Sequence, residues 1–163
     1  MPGLTVRVVL QDIKKLEDDA LIVGFFEEVR PLKGLAGELD WLLCGALSRL
    51  ILDNKLHGAL GDAALLTTQG KLQVKKLFLV GLGPAARFSL SAMRVAARNA
   101  AVAVVNAGIK KAAIESFQSP DVMLDAGASA LHDGLSEGVG GNSLDVTILA
   151  NDAHVYDKVS RPA

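Results

Sequence analysis

The chain has 163 residues, half of them apolar, with aromatics at 4% and a formal net charge of −1. That length suits one domain burying roughly 70% of its unfolded surface, and the apolar half excludes a disordered chain. The near-neutral total excludes a polycation, and so few aromatics leave the core to Leu, Val, Ile and Ala.

Thr5 to Leu10 alternates and then turns apolar, which predicts a strand; Lys14 to Asp19 follows as a charged turn. The start, Met1 to Arg7, lacks the regions of a signal peptide. Ala20 to Phe26 is a continuous apolar run of strand length, the pattern of a central strand covered on both faces. Pro31 opens a helix in which Leu35, Leu39, Leu42 and Ala46 recur at helical spacing, with Leu43, Leu47 and Leu50 beside them. Gly34, Gly37 and Gly45 weaken that helix, and Gly45 is expected to mark close packing. Cys44, the only cysteine, lies among leucines and is expected to be a buried small hydrophobe. A lone cysteine forms no disulfide within the chain, which suits the reducing cytoplasm.

Ala63 to Thr68 and Lys76 to Leu82 predict a third and a fourth strand around a turn at Gln69-Gly70-Lys71. Ser89 is a suitable N-cap for a helix to Ala107 that Gly108 stops, packed through Met93, Ala97, Ala100, Ala101 and Val104. Arg87, Ser91, Arg94 and Arg98 form its opposite stripe. Lys111 to Phe117 is a fifth strand. Ser119-Pro120-Asp121 begins a third helix with the inner stripe Leu124, Ala128, Leu131 and Leu135, and Asp145 to Ala150 is the sixth strand. The order ββαββαβαβ predicts an α/β protein, a three-layer α/β/α sandwich on a mixed, mostly parallel six-stranded sheet. Residues 1–150 form the domain and 151–163 a polar C-terminal tail. No apolar run reaches the length of a membrane span.

Charge is divided along the chain. Residues 1–62 carry seven basic and ten acidic side chains, residues 63–114 eight and none, and residues 115–163 two and eight. The eight cations are Lys71, Lys75, Lys76, Arg87, Arg94, Arg98, Lys110 and Lys111. They supply either one basic face or a set of solvated outer faces. Within them, Gly81-Leu82-Gly83 ends the fourth strand, where glycines admit a ligand to the backbone and exposed amides cradle a phosphate. Gly24, at the end of the second strand, is expected to line the same crevice, and Arg87 to hold the anion's charge. The candidate ligand-binding residues are therefore Gly24, Gly81, Leu82, Gly83 and Arg87. The turn lacks the third glycine of a dinucleotide fingerprint, so a plain strand-to-helix turn stands as the other reading.

Gly138-Val139-Gly140-Gly141-Asn142 precedes a strand, the wrong end of a sheet for phosphate, and reads as a connector. His57, His132 and His154 are not spaced as zinc ligands, no Gly-x-Ser-x-Gly elbow exists, and adjacent Glu27 and Glu28 are not a carboxylate pair. No catalytic residue, metal ligand or cofactor is expected. An acidic remainder, few aromatics and no recognition motif weigh against nucleic acid.

From Ala20 to Ile114 the chain resembles the N-terminal, non-catalytic domain of the leucine aminopeptidase (cytosol aminopeptidase) family. The resemblance rests on Ala20-Leu21-Ile22-Val23-Gly24-Phe25-Phe26-Glu27, then Gly37-Glu38-Leu39-Asp40, Gly58 to Gly61, Ala64-Leu65-Leu66, and Lys76-Leu77-Phe78-Leu79-Val80-Gly81-Leu82-Gly83 before an alanine-rich helix. It implies a macrodomain-like fold. It also implies that the family's two metals and catalytic residues belong to a C-terminal domain marked by an Asn-Thr-Asp-Ala-Glu-Gly-Arg stretch. Asn151-Asp152-Ala153 does not continue that way, so no catalytic residue carries over. The expectation is a non-catalytic cytoplasmic domain that binds a phosphate-bearing, nucleotide-like small molecule or a protein partner. The alternatives are a docking or regulatory subunit of an aminopeptidase or other oligomer, a homo-oligomer among them, and an ADP-ribose-processing enzyme. A membrane partner is not expected.

Overall fold

The computed structural model describes residues 3–9, 13–28, 30–115 and 124–149. Six strands, β1 (Gly3–Val9), β2 (Ala20–Phe25), β3 (Ala63–Thr67), β4 (Lys76–Gly81), β5 (Lys111–Glu115) and β6 (Ser143–Leu149), form one sheet in the order β1-β6-β5-β2-β4-β3. All neighbours are parallel except β3, which runs antiparallel to β4. β1 and β2 are consecutive in sequence yet are not neighbours, because β1 pairs with β6 at the far edge.

Alternation across the sheet divides the core in two. Ile22, Phe78, Val80, Ala112, Ile114, Val146 and Ile148 pack under α3 (Leu90–Asn106) and α4 (Leu124–Val139). Leu21, Val23, Phe25, Leu77, Leu79, Ala113 and Leu149 pack under α1 (Gly34–Leu42) and α2 (Ala46–Leu52). β2 contributes to both and is buried along its whole length, which is why its sequence does not alternate. This is the three-layer α/β/α sandwich the sequence predicts.

Ser89 caps α3 through its side-chain oxygen, which accepts the Ala92 amide at 3.1 Å, and Gly108 ends the helix turn with φ 78°. The α3–α4 contact is unusually close. A Cβ at Gly134 would lie 2.3 Å from the Arg94 carbonyl oxygen, and one at Gly138 would lie 2.4 Å from that of Arg98. Gly138 and Val139 therefore belong to α4 and not to a connector; the turn to β6 begins at Gly140, with φ 58°. The Ser119-Pro120-Asp121 helix start, Phe117 and the tail from Asn151 lie outside the described residues, as do the side chains of Leu124 and Ala128.

The single helix expected after Pro31 is two. Cys44 and Gly45, with φ of 57° and 81°, break it, and nothing lies within 4 Å of where a Gly45 Cβ would be. Gly45 thus serves a left-handed turn, not close packing. Asp40 stabilises the break: its carboxylate accepts the Ser48 amide at 2.9 Å and the Ser48 hydroxyl, capping the new helix. Cys44 is exposed at the break, contrary to the burial expected of it. The leucine spacing continues through the turn, so Leu39 of α1, Leu43 of the junction and Leu47 of α2 are all buried.

Candidate functional site

In an open α/β sheet a ligand crevice forms where adjacent strands send their chains to opposite faces. β2 leads to α1 on one face, while its neighbours β4 and β5 lead to α3 and α4 on the other. The crevice therefore lies over the carboxyl end of β2, and the structure brings Gly24, Gly81, Leu82, Gly83 and Arg87 to its rim.

The chain itself fills much of that rim. The Gly81 amide donates to the Asp62 carbonyl at 2.9 Å, Leu82 to Phe25 at 3.0 Å, and Gly83 to Gly58 at 2.9 Å. None of these three amides is spare for a phosphate. Gly81 is glycine because a Cβ there would lie 2.0 Å from the Ala59 carbonyl oxygen. At Gly24 a Cβ would meet the Leu82 side chain at 2.9 Å, and Leu82 is a buried core residue. The segment Gly58–Asp62 occupies the place that the sequence leaves open for a ligand backbone. The next amide along, Ala85 at the start of a 3-10 turn (Ala85–Arg87), donates to the Glu28 carboxylate at 2.7 Å. Arg87 follows, exposed.

Charge at the crevice end is mixed: Arg30 donates to the Phe26 carbonyl at 2.9 Å just past β2, and acidic side chains lie at the same end. Lys76 and Lys111 are the first residues of β4 and β5, with Lys75 and Lys110 just before them, so these four lie at the amino end of the sheet. Arg94, on α3, pairs with Glu137 of α4. Of the eight cations, Arg87 is the one on the turn that leaves the crevice end of β4. The same end carries Glu27 and Glu28 after β2 and Glu115 as the last residue of β5. Burial pushes the Glu115 carboxyl up to about 7, opposed by the hydrogen bond it accepts from the Leu35 amide and reinforced by Glu38. That bond places Glu115 at the first turn of α1, whose own N-cap, Lys33, makes no side-chain cap. Beside the crevice, a cavity of about 120 Å³ is lined by Phe25, His57, Gly58, Asp62 and Gly81 among others, below the usual range for a small-molecule site, roughly 300–1,000 Å³. Among the described residues no three His, Cys, Asp or Glu side chains are grouped to hold a metal ion.

A larger concavity lies elsewhere. An open cleft of about 740 Å³ runs along α1 and the Cys44–Gly45 break, lined by Pro31, Leu32, Asp40, Trp41, Leu42 and Cys44 among others. Trp41, the only tryptophan of the chain, is 80% exposed there. Its position was readable: two residues from buried Leu39, it falls on the far side of the helix. The residues that spend the crevice amides, Gly58 to Asp62, gave no comparable local signal.

Comparison with known proteins agrees with this architecture. Residues 22–138 match the cytosol aminopeptidase family, N-terminal domain. A probable cytosol aminopeptidase of Geobacter sulfurreducens is 31% identical over 111 residues, covering 68% of this chain and 22% of that protein. Among solved structures, a mutant of tomato leucine aminopeptidase superposes with a TM-score of 0.73 at 17% identity, over 97% of this chain and 35% of the other. The Trypanosoma brucei macrodomain in complex with ADP-ribose gives 0.75 at 12% identity, over 95% of this chain and 67% of the other. The fold is that of a macrodomain. The chain belongs to the cytosol aminopeptidase family as its N-terminal domain, and it spans less than a quarter of the length of the curated relatives it matches. Among the described residues no helix is long and apolar enough to cross a membrane.

Proposed function

We propose that this macrodomain-like chain is a non-catalytic cytoplasmic module that works by protein contact, docking through the α1–α2 face on the catalytic part of a cytosol aminopeptidase. The observation that carries this reading is Trp41, exposed on the wall of an open cleft of about 740 Å³ while the crevice over β2 is filled by the chain's own Glu28 and Gly58–Asp62. Tryptophan in a concave, largely apolar setting is among the residues that most often anchor a protein interface. The curated relatives are probable cytosol aminopeptidases of which this chain matches one part, which supports that partner class. Titrating the chain into a cytosol aminopeptidase catalytic domain by calorimetry tests it. Trp41→Ala should weaken the association at least 30-fold, corresponding to about 2 kcal/mol for an anchor residue; equal affinity of the two proteins refutes the placement.

A second reading is favoured by one observation, that a solved macrodomain of this fold holds ADP-ribose. On it, Gly24, Gly81, Leu82, Gly83 and Arg87 would contact a nucleotide-like anion, with Arg87 supplying the charge and Glu28 leaving the Ala85 amide to make room. A thermal-shift titration with ADP-ribose decides this: a rise in midpoint that Arg87→Glu abolishes supports it, and a flat response removes it.

A further inference from the structure

We infer that the outer edge of β3 is a self-association surface on which a second copy of this chain adds antiparallel, continuing the sheet from one molecule into the other. This rests on the sheet edge alone and is independent of the α1–α2 docking face.

The backbone accounting is specific. Gly81 donates to the Asp62 carbonyl and Thr68 donates to the Lys75 carbonyl, and the register pairs Ala64 with Leu79 and Leu66 with Leu77. Residues 62, 64, 66 and 68 thus direct their amides and carbonyls toward β4. In an antiparallel ladder the alternate residues, Ala63, Leu65 and Thr67, point theirs the other way. β3 is the terminal strand of the sheet, and these three residues are exposed, Leu65 to 52%. Monomeric proteins guard such an edge with Lys, Pro or a bulge. Ala63-Ala64-Leu65-Leu66-Thr67 carries no charge and no proline, and pairs with β4 in unbroken register.

The strand also complements itself. A two-fold axis beside Leu65 sets Ala63 against Thr67 of the second copy and Leu65 against Leu65. Three pairs that each exchange two bonds give about six hydrogen bonds, with the Leu65 Cα atoms about 5.5 Å apart. Both leucine side chains then lie on the α3 face, side by side. The same register sets Asp62 of each copy opposite Thr68 of the other. The opposite edge strand, β1, carries Arg7, the kind of charge that guards an edge and that β3 lacks.

Sedimentation equilibrium on the full chain tests the proposal. The wild type should give twice the 17.1 kDa chain mass at micromolar concentration. Leu65→Lys and Leu65→Glu, at an exposed site that the fold does not need, should each give the single mass with an unchanged circular dichroism spectrum. Mixing those two variants should restore the double mass, because Lys then faces Glu across the axis. A wild type that stays at the single mass up to several hundred micromolar overturns the proposal, as does a dimer that neither variant dissociates. Two monomeric variants that fail to pair when mixed also count against this register.

Discussion

The Glu28 carboxylate accepts the Ala85 amide at 2.7 Å across 57 residues of sequence. This one bond sets the chain's own negative charge at the turn where an anionic ligand of an α/β crevice would lie. The first prediction follows from it. Wild-type protein should show no rise in thermal midpoint with ADP-ribose at millimolar concentration, and Glu28→Gln should lose under about 1 kcal/mol, the net worth of an exposed hydrogen bond. Differential scanning fluorimetry checks both; a ligand-induced rise of several degrees in the wild type would contradict the docking account.

Glu115 gives stability a definite pH dependence. Its carboxyl lies near 7 in the folded protein against an ordinary 4.5, so between those values the native state binds the extra proton. Stability is then highest below pH 4.5 as far as this group is concerned, falls as pH rises through the interval, and levels off above 7. The size is on the order of 3 kcal/mol. Glu115→Gln keeps an oxygen for the Leu35 amide while removing the charge. It should flatten the pH 5–7 limb of the denaturation midpoint and stabilise the protein at pH 8. An unchanged slope would refute the assignment.

Two glycines are fixed by backbone contact and not by flexibility. Gly81→Ala places a methyl 2.0 Å from the Ala59 carbonyl oxygen, and Gly134→Ala places one 2.3 Å from that of Arg94. Each should destabilise by about 1–3 kcal/mol or more through forced movement of packed backbone. Gly141→Ala, where nothing lies within 4 Å of the new methyl, is the control and should fall within about 0.5 kcal/mol of wild type. Urea denaturation separates the three.

Asp40 holds the junction of α1 and α2 through Ser48. Asp40→Ala should cost about 1 kcal/mol, as for the loss of a helix cap, and loosen the wall of the Trp41 cleft. Cys44 reports on that junction, since an exposed thiol should react with Ellman's reagent without denaturant, and faster in the variant. A wild-type thiol that reacts only after unfolding would contradict the position of the break.

What was legible in the sequence was local. The apolar run of β2, the Ser89 cap and the Gly108 stop each depend on neighbours within one turn, and the strand and helix order gave the layers. The break at Cys44–Gly45 was hidden because leucine spacing continues across it. The pairing of β1 with β6 links segments about 140 residues apart, and nothing local announces it. At the crevice the glycines suggest room for a ligand, whereas Gly58–Asp62 occupies that room. The spread of charge was readable: five residues along a strand is about 17 Å, so Lys76 and Gly81 were always at opposite ends of β4. Counting charge by segment of sequence hides it, because one segment contributes to both ends of the sheet.

The docking reading rests most directly on Trp41, and as the only tryptophan it reports on itself. The decisive measurement is its fluorescence emission while a cytosol aminopeptidase catalytic domain that has been made free of tryptophan is added. A saturable shift to shorter wavelength, with Cys44 protected from modification over the same range, is the predicted result. Emission that stays at the solvent-exposed wavelength while the two proteins sediment together, or the absence of any complex, would contradict it.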